Sequence, residues 1–272
     1  MLIATWNVNS VRARLPRLLP WLETLRPDVV CLQELKCRDE DFPAGPLEEL
    51  GYNILSYGQK TYNGVALLSL ERAEDPIRGF PGDPDASQKR VITATFGDLR
   101  ILNAYVVNGR EVGCAAYQHK LDWLAKLREF VAAQLSEYPR LVLTGDFNIT
   151  FDDRDVYDPE AWREKILCST PERAALADLT GLGLTDLFRY FHDEGGHYSW
   201  FDFRTRGFQR KLGLRIDHFL ASGPVLEASR DVRIDLVARD GEKPSDHAPV
   251  LLELLEQSEP SERGMTAETD TP

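Results

Sequence analysis

Asp146 and Asn148 are the side chains best suited to chemistry, and they close an apolar run, Leu141–Thr150, with the sequence LVLTGDFNIT. Residues two apart in an extended chain point the same way, so a strand here would present both side chains at the end of a sheet. A carboxylate beside a carboxamide can hold a hard divalent cation, position an attacking water or bind a phosphate oxygen. Taken alone, Gly-Asp-x-Asn fits a simple strand-end turn equally well.

Four more fragments place polar side chains next to strand-like apolar runs. They are TWNVNSVRAR with Asn7, DVVCLQELK with Glu34, NAYVVNG with Tyr105, and LRIDHFLAS with Asp217 followed by SDHAPV with Asp246 and His247. In chain order, all five fragments together resemble the exonuclease III family of abasic-site endonucleases, within the endonuclease/exonuclease/phosphatase superfamily. The resemblance runs from Met1 to about Glu253, and YNGVALLS, RGFPGD, Pro171–Arg173 and YSWFDFRTRGF also look similar.

The resemblance implies a metal site. Glu34, at the end of a buried strand, is the expected main ligand, with Asn7 nearby and Asp246 as a metal-side or orienting carboxylate. Oxygen ligands of this kind suit Mg²⁺, for which Mn²⁺ can substitute. Such a cation would polarise the scissile phosphate and stabilise the leaving 3′-oxygen.

The resemblance also implies catalytic roles. Asp146 is expected to activate a water, because a carboxylate that accepts its proton lowers the barrier, and Asn148 to hold that water or the phosphate. Tyr105 is implied to lie near the phosphate, as a hydrogen-bond donor or as a phenolate. The usual family pattern has proline two residues after this tyrosine, where this chain has Val107.

His247 is implied to contact the phosphate, with an acid orienting its ring. A protonated histidine would counter the charge that builds on the phosphate oxygens. Asp246 and Asp155 are both candidates for the orienting acid, and Asp246 is the one we favour. Asp217 is a further catalytic candidate, because it lies among mostly apolar neighbours and its charge needs a partner.

Aromatic and basic residues occur together after Tyr198. Trp200 and Phe201 precede a segment, 204–215, that has five basic residues and no acid. A ring beside cations suits DNA opened at a missing base, and we expect Trp200 to line the sugar pocket. A solvated basic loop is the alternative interpretation. The residues expected to face the DNA backbone are Arg204, Arg206, Arg210 and Lys211, together with Arg90 and Lys120, which align with family positions.

A formal net charge of −12 opposes simple nucleic-acid binding. Residues 256–272 carry five acids against one base, which predicts an acidic, disordered tail over 255–272 after a single catalytic domain at 1–254. The basic segment lessens this objection to DNA binding. A cation that neutralises the metal-site carboxylates would lessen it further. The expected partner is therefore duplex DNA bound at a local positive patch.

The chain lacks an apolar run long enough to span a bilayer, and its N-terminus lacks the pattern of a secretory signal. We therefore expect a cytoplasmic protein that is not membrane-bound and acts as a monomer. Its four cysteines match no zinc pattern, and reduced thiols are favoured over a disulfide or a metal role. They are Cys31, Cys37, Cys114 and Cys168.

Hydrophobic spacing predicts the elements that must position these residues. The predicted helices run from Ser10 to about Leu25, with a break or irregular turns at Pro16 and Pro20, and over Tyr117–Leu135, Glu160–Leu167 and Pro171–Leu182 with Thr170 as N-cap. The predicted strands are Leu2–Trp6, Asp28–Gln33, Tyr52–Tyr57, Gly64–Leu70, Arg90–Phe96, Leu99–Val107, Arg140–Thr144, Tyr198–Phe203, Arg215–Ala221, Val232–Val237 and Ala248–Leu254. Many of these strands are joined by short turns, which favours mixed sheets with helices packed outside. The resemblance implies a four-layer α/β sandwich, with two mixed β-sheets face to face and flanked by helices.

The leading functional hypothesis is a Mg²⁺-dependent DNA-repair phosphodiesterase. It would hydrolyse the backbone 5′ to abasic sites, leaving a 3′-hydroxyl, and would trim blocked 3′ ends and degrade 3′ ends of duplex DNA. A second hypothesis keeps the fold and changes the substrate to an inositol phosphate or a sphingolipid, which the basic segment disfavours. A third is a non-catalytic RNA-binding relative, which the complete set of polar site residues disfavours.

Overall fold

The computed structural model describes residues 1–255 and shows two mixed β-sheets packed face to face, with helices on the outer side of each. The predicted four-layer α/β sandwich is confirmed. The strands are β1 (Leu2–Asn7), β2 (Val29–Gln33), β3 (Asn53–Tyr57), β4 (Val65–Ser69), β5 (Glu74–Arg78), β6 (Val91–Phe96), β7 (Leu99–Tyr105), β8 (Leu141–Asp146), β9 (Thr185–Asp186), β10 (Asp217–Ala221), β11 (Ser229–Ile234) and β12 (Val250–Leu254). The α-helices are α1 (Val11–Leu25), α2 (Ala44–Glu49), α3 (Ala115–Glu137), α4 (Pro159–Trp162), α5 (Thr170–Thr180), α6 (Leu187–Phe191), α7 (Gly207–Arg210), α8 (Gly223–Ala228) and α9 (Leu236–Arg239). Short 3₁₀ helices lie at Asp39–Asp41, Asp153–Asp155 and Phe203–Thr205.

Each sheet has six strands and one parallel pair near its centre. The first sheet runs β11-β12-β1-β2-β4-β3, and the second runs β5-β6-β7-β8-β10-β9. The parallel pairs are β1 with β2 and β7 with β8, so the carboxyl ends of each pair meet at one sheet edge. Asn7 lies beside Gln33 in the first pair, and Tyr105 lies beside Asp146 in the second. Because β10 runs antiparallel to β8, its first residue, Asp217, lies opposite Asp146.

Three apolar layers hold the sandwich together. The central one fills the space between the sheets, with Ile3 and Phe219 among its members. One outer layer packs α1 and α2 on the first sheet, and the other packs α3 and α5 on the second. Both faces of the central strands are therefore covered, which explains why β2 and β8 are buried along their whole length.

The first helix is continuous, so the predicted break or irregular turns at its prolines are wrong. Ser10 caps the helix by accepting a hydrogen bond from the backbone N–H of Ala13, as expected. Pro16 and Pro20 lie four residues apart on the exposed side of α1, where carbonyls that lose a helical partner can reach water. Leu18 and its neighbours on the opposite face are buried against the first sheet and hold the helix in place.

Other boundaries also differ from the predictions. The helix predicted at Glu160–Leu167 is only the one turn of α4, because Glu164 and Leu167 adopt positive φ angles that end it. The N-cap of α5 is Ser169 rather than Thr170, in a capping box with Glu172.

Two predicted strands are also changed. Tyr198–Phe203 forms only isolated bridges, through Trp200, instead of a strand. The last residues of the strand predicted at Val232–Val237 belong to α9, which Asp235 caps by accepting from Val237 and Ala238. A side chain that caps a helix start competes with continued strand pairing at this point.

Apart from Leu255, the tail predicted for 255–272 lies outside the described residues. Within residues 1–255, none of the helices has the length and apolar composition needed to cross a membrane. The four cysteines are free thiols, and Cys114 is the least buried of them.

Candidate active site

The predicted site residues converge at one edge of the sandwich. Asn7 ends β1 and Glu34 directly follows β2, so the first sheet delivers both to this edge. Tyr105 and Asp146 end the parallel strands of the second sheet, and Asp217 begins their antiparallel neighbour. Strand order, together with the pairing of parallel ends, therefore explains why residues distant in sequence share one pocket.

His247 lies between two carboxylates. Its Nδ1 is 2.9 Å from Oδ2 of Asp217, and its Nε2 is 3.7 Å from Oδ2 of Asp146. Burial alone would lower the pKa of His247, but the charges of Asp217 and Asp146 outweigh it and raise the pKa well above its usual range. Burial raises the pKa of Asp146, against the opposing influence of His247. The imidazole is thus held in place as a cation between the two acids.

Asp217, not the favoured Asp246, is the acid that orients His247. Asp246 lies in a bend just before His247, and the carboxylate bound to the imidazole is that of Asp217. Its carboxylate instead accepts hydrogen bonds from Asn9 Nδ2 at 2.8 Å and from Trp200 Nε1 at 3.0 Å. Burial would raise the pKa of Asp246, but the neighbouring His247 charge and these two donors lower it.

Asp155, the other candidate, belongs to a separate cluster. Its carboxylate is buried and is bound by the guanidinium groups of Arg215 and Arg189. Arg215 also reaches Asp186 and Nδ1 of His218, so this cluster joins the segment after β8 to β9 and β10. Asp155 therefore supports the framework around the site without reaching His247.

Glu34 is the centre of a second group of polar contacts. Its Oε1 accepts hydrogen bonds from Asn7 Nδ2 at 2.9 Å and from the Tyr105 hydroxyl at 3.0 Å. Its Oε2 is 2.8 Å from Nζ of Lys36, which the sequence analysis missed although it stands two residues away in QELK. Burial would raise the pKa of Glu34, but Lys36 and Asn7 together lower it, so the carboxylate is ionised.

Asn7 links the two groups. Its Nδ2 donates to both Glu34 and Asp146, each at 2.9 Å, and its Oδ1 accepts from the backbone N–H of Asn9. In this orientation the amide nitrogen, rather than the oxygen, faces the carboxylates. Asn7 would have to turn its oxygen inward to ligate a cation directly.

Tyr105 is placed as a hydrogen-bond donor. Burial, together with the charges of Glu34 and Asp146, raises the pKa of its phenol well above the ordinary value, which disfavours the phenolate. The guanidinium of Arg90 lies over its ring, 4.7 Å from the centroid, and Nη1 of Arg90 donates to the Tyr105 carbonyl. Arg90 is only 8% exposed, so its contacts support Tyr105 instead of the predicted DNA backbone.

Asn148 is held in a left-handed conformation, with φ of 51°. Its backbone N–H donates to Oδ1 of Asp146, and its Nδ2 donates to the carbonyl of Val106. Its Oδ1 accepts from Nδ2 of Asn108 at 2.9 Å. Asn108 also escaped the sequence analysis, although the motif NAYVVNG contains it.

Lys120 does not face DNA, contrary to the prediction. Its side chain is completely buried and forms an ion pair with Glu172 of α5. The same ammonium donates to the carbonyls of Asn148 at 2.7 Å and Asn108 at 3.2 Å. Lys120 therefore holds the two loops that carry these asparagines, from the interior of the protein. The sequence contained the signal, since Lys120 lies three residues after Tyr117 and four before Leu124, on the buried face of α3.

Trp200 forms part of the wall beside the pocket. It is half-buried, its indole is tied to Asp246, and its backbone forms bridges with Leu214 and His247. The loop that follows is exposed, and Arg204 pairs there with Asp202. The predicted DNA-facing residues that lie on this exposed loop are Arg204, Arg206, Arg210 and Lys211.

The donor set fits a divalent cation. Asp146 and Asp217 bring two carboxylates together, and a ring nitrogen of His247, which could ligate only in its neutral form, lies within 4.8 Å of an oxygen of each. Glu34 brings a further ionised carboxylate to the same pocket, through its shared contact with Asn7. Clustered carboxylates repel one another unless positive charge is present, and oxygen ligands favour hard cations.

Comparison with known proteins agrees with this geometry. A sequence model described as the Endonuclease/Exonuclease/phosphatase family matches residues 4–247. Exodeoxyribonuclease III of Haemophilus influenzae is 37% identical over 265 residues, which cover 93% of this chain and 99% of that protein. The chain belongs to the exonuclease III family. Exonuclease III relatives of known structure extend the match over the whole fold.

Two solved structures illustrate the range of the exonuclease III family. A 3′ phosphatase from Neisseria, bound to a product DNA hairpin, is 48% identical with a TM-score of 0.92, covering 94% of this chain and 100% of that one. An AP endonuclease from Archaeoglobus fulgidus is 34% identical with a TM-score of 0.89, covering 93% and 99%. The protein is accordingly a DNA nuclease and phosphodiesterase of this family, built around a buried Asp-Asp-His group.

Proposed function

We propose that this nuclease hydrolyses duplex DNA on the 5′ side of abasic sites, leaving a 3′-hydroxyl, and that it also removes nucleotides and blocking groups from 3′ ends. The observation that supports this most directly is the placement of His247 between Asp217 and Asp146, beside Glu34. A water-activating carboxylate, a cationic hydrogen-bond donor and a metal-ligating acid are thereby within reach of one phosphate. Relatives that act on abasic sites and on 3′ ends share the fold.

Glu34 would hold a Mg²⁺ ion, with Asn7 beside it and Asp246 supporting that side through Asn9 and Lys36. The ion supplies charge stabilisation for the phosphate and the leaving oxygen. Mn²⁺ would serve as well, since it prefers the same oxygen ligands.

The chain's own groups carry out the proton transfer and orientation. Asp146, whose pKa is raised by burial, accepts the proton of the attacking water. Asn148 orients that water or the phosphate. His247 donates from Nε2 to a phosphate oxygen while Asp217 keeps its Nδ1 protonated, and Tyr105 donates from its phenol on the Glu34 side. Attack by water in line with the leaving oxygen needs no covalent intermediate.

Trp200 would line the pocket of the extruded sugar, which leaves the duplex easily because an abasic site has no base pair to break. The exposed loop carrying Arg204, Arg206, Arg210 and Lys211 would hold the backbone. All these groups come from residues 1–254 of a single chain, so we propose that this span is the catalytic domain and acts as a monomer.

The test is incision of a duplex that carries one tetrahydrofuran residue, with a 3′-phosphate-ended duplex as the second substrate. Both should be hydrolysed in Mg²⁺, and both activities should vanish in excess EDTA and fall by at least about 100-fold in Asp146→Asn. Cleavage that persists in EDTA, or that is unchanged in Asp146→Asn, would overturn the mechanism. Activity on the 3′-phosphate alone would remove the abasic-site assignment and leave the 3′-end activity.

A further inference from the structure

A second concave site lies beside the active site and has no role in the proposed chemistry. This cavity, of about 430 Å³, separates the basic loop from the segment that follows α9. Its lining includes Phe203, Arg206, Gln209, Arg239 and Gly241. We call it the Arg239 cavity.

Arg239 is buried with its guanidinium surrounded by aromatic rings. The group lies 4.8 Å from the ring centroid of Phe208, 5.0 Å from that of Phe203 and 5.9 Å from that of Phe201. The side chain is 4% exposed. Its Nε is buried and has no hydrogen-bond partner among residues 1–255. A buried N–H group without an acceptor is costly, because it has lost water without gaining a hydrogen-bond partner.

The nearest acids do not satisfy Arg239. Asp246 gives both carboxylate oxygens to Asn9 and Trp200, and Asp240 accepts from the backbone N–H of Gly241. Arg14 and Arg17 lie close enough to influence Arg239 electrostatically, and they add positive charge. An anion that enters the cavity would therefore contact a guanidinium that packs against aromatic rings and still has an N–H group available as a hydrogen-bond donor.

We propose that the Arg239 cavity is a phosphate subsite that takes a backbone phosphate of bound DNA, flanking the scissile one. The guanidinium fork matches the oxygens of a phosphate, and stacking on aromatic rings leaves its edge available for that contact. The location also fits, because Phe201 under Arg239 is adjacent to Trp200, and Trp200 is tied to Asp246 next to His247. Arg206 lines the cavity, and the exposed Arg210 and Lys211 lie on the same loop. This inference rests on the proposed function for the identity of the anion.

The first experiment measures the salt dependence of DNA affinity, with a tetrahydrofuran duplex in EDTA so that no cleavage occurs. Arg239→Gln should weaken binding about tenfold at low salt and reduce the slope of log affinity against log salt by about one. Arg239→Lys should keep the slope and lose part of the affinity, since it retains the charge without the fork. The control is Arg72→Gln, an exposed arginine just after β4, at the end of the first sheet opposite Glu34. A slope for Arg239→Gln equal to that of Arg72→Gln would overturn the subsite.

A second pair of variants leaves the buried guanidinium in place, in case Arg239→Gln does not fold. Gln209→Glu puts a carboxylate on the lining of the cavity, whereas Thr205→Glu puts one on the same exposed loop outside it. Gln209→Glu should weaken DNA binding clearly more than Thr205→Glu. Equal losses would show that only the general charge of the loop matters.

Inorganic phosphate tests the subsite without DNA. Titrating the protein with phosphate should shift the Arg239 Nε–H resonance in a saturable way, and Gln209→Glu should weaken that binding. If the nuclease assay fails while phosphate still binds, the subsite stands and the DNA assignment falls. If cleavage occurs but phosphate leaves the Arg239 resonance unchanged, the subsite itself is wrong.

Discussion

At the scale of single residues, the acids in and around the site differ in the partners that they bind. Asp217 contacts His247, and Asp246 accepts hydrogen bonds from Trp200 and Asn9. Asp155 forms ion pairs with arginines outside the pocket. Sequence alone could identify these acids as candidates, because each stands in a polar motif beside an apolar strand. It could not decide which acid meets the imidazole, because that depends on β10 pairing with β8 across 70 residues of chain.

The pairing of His247 with Asp217 predicts unequal effects for two otherwise similar substitutions. Asp217→Asn removes the charge that keeps Nδ1 protonated, so the neutral imidazole should no longer counter charge on the phosphate. We expect kcat on the tetrahydrofuran duplex to fall by about 100-fold or more at saturating Mg²⁺.

Asp246→Asn is the matched control, since it changes the neighbouring acid and keeps an acceptor for Trp200 or Asn9. We expect it to lower kcat less than about tenfold and to raise the Mg²⁺ concentration needed for half-maximal rate. A larger loss of kcat in Asp246→Asn than in Asp217→Asn would contradict the assignment of Asp217.

Trp200 offers a prediction about substrate choice. Trp200→Ala should slow cleavage at an abasic site far more than hydrolysis of a small generic phosphodiester, because only the first substrate places an extruded sugar against the indole. Steady-state rates on both substrates measure the difference. Equal losses on both would indicate that the indole acts only by holding Asp246 in place.

At the scale of elements, α3 and α5 support the catalytic loops from inside. Lys120 and Glu172 form a completely buried ion pair, and the ammonium also holds the carbonyls of Asn148 and Asn108. The hydrophobic spacing of α3 predicted this helix correctly, and the same spacing places Lys120 on its buried face. The charge of lysine favours the surface, but here the helical position of Lys120 decides its burial.

Breaking this ion pair should lower stability and activity separately. Lys120→Met leaves the Glu172 charge buried alone, and we expect the free energy of unfolding to drop by about 3–5 kcal/mol. In the double variant Lys120→Met/Glu172→Gln the charge is gone and one side-chain oxygen remains as an acceptor for the backbone N–H groups of residues 167 and 169, which now donate to separate oxygens of Glu172, so only part of the stability should return. Activity should stay low, because the Asn148 carbonyl has still lost its donor.

Urea unfolding and kcat distinguish the two effects. Lys126→Met serves as the control on the same helix, because Lys126 pairs with Glu129 at the exposed surface, and such pairs contribute little to stability. Recovery of kcat together with stability in the double variant would show that Lys120 has no positioning role for Asn148.

At the scale of the whole molecule, the family pattern predicted the four-layer sandwich, whereas hydrophobic spacing alone predicted only mixed sheets with helices outside. The charge distribution follows the fold as well: an acidic protein presents an exposed basic loop beside a pocket of buried acids. The buried cluster of Arg215 with Asp155 and Asp186 was not predictable, because its members are brought together only by the packing of β9, β10 and the segment after β8. This cluster should govern how the fold responds to acid.

Burial alone would raise the pKa of Asp155, but Arg215 and its neighbours outweigh it and lower the pKa to about 2, from 3.8 as the ordinary value. A carboxyl whose pKa is lower in the folded state stabilises the fold above pH 4, and this contribution is lost as the pH falls toward 2. The difference corresponds to about 2 kcal/mol.

Asp155→Asn should therefore destabilise the protein at pH 7 and make the free energy of unfolding less steeply dependent on pH between 5 and 2, as measured by urea unfolding. Asp153→Asn is the control, since Asp153 is 66% exposed and pairs with Arg173 at the surface, so its loss should leave the acid response as in the wild type. An Asp155→Asn variant with the acid response of the wild type would show that the arginines stabilise the fold independently of this carboxylate. The two variants together thus determine whether the framework behind the active site depends on one buried charge.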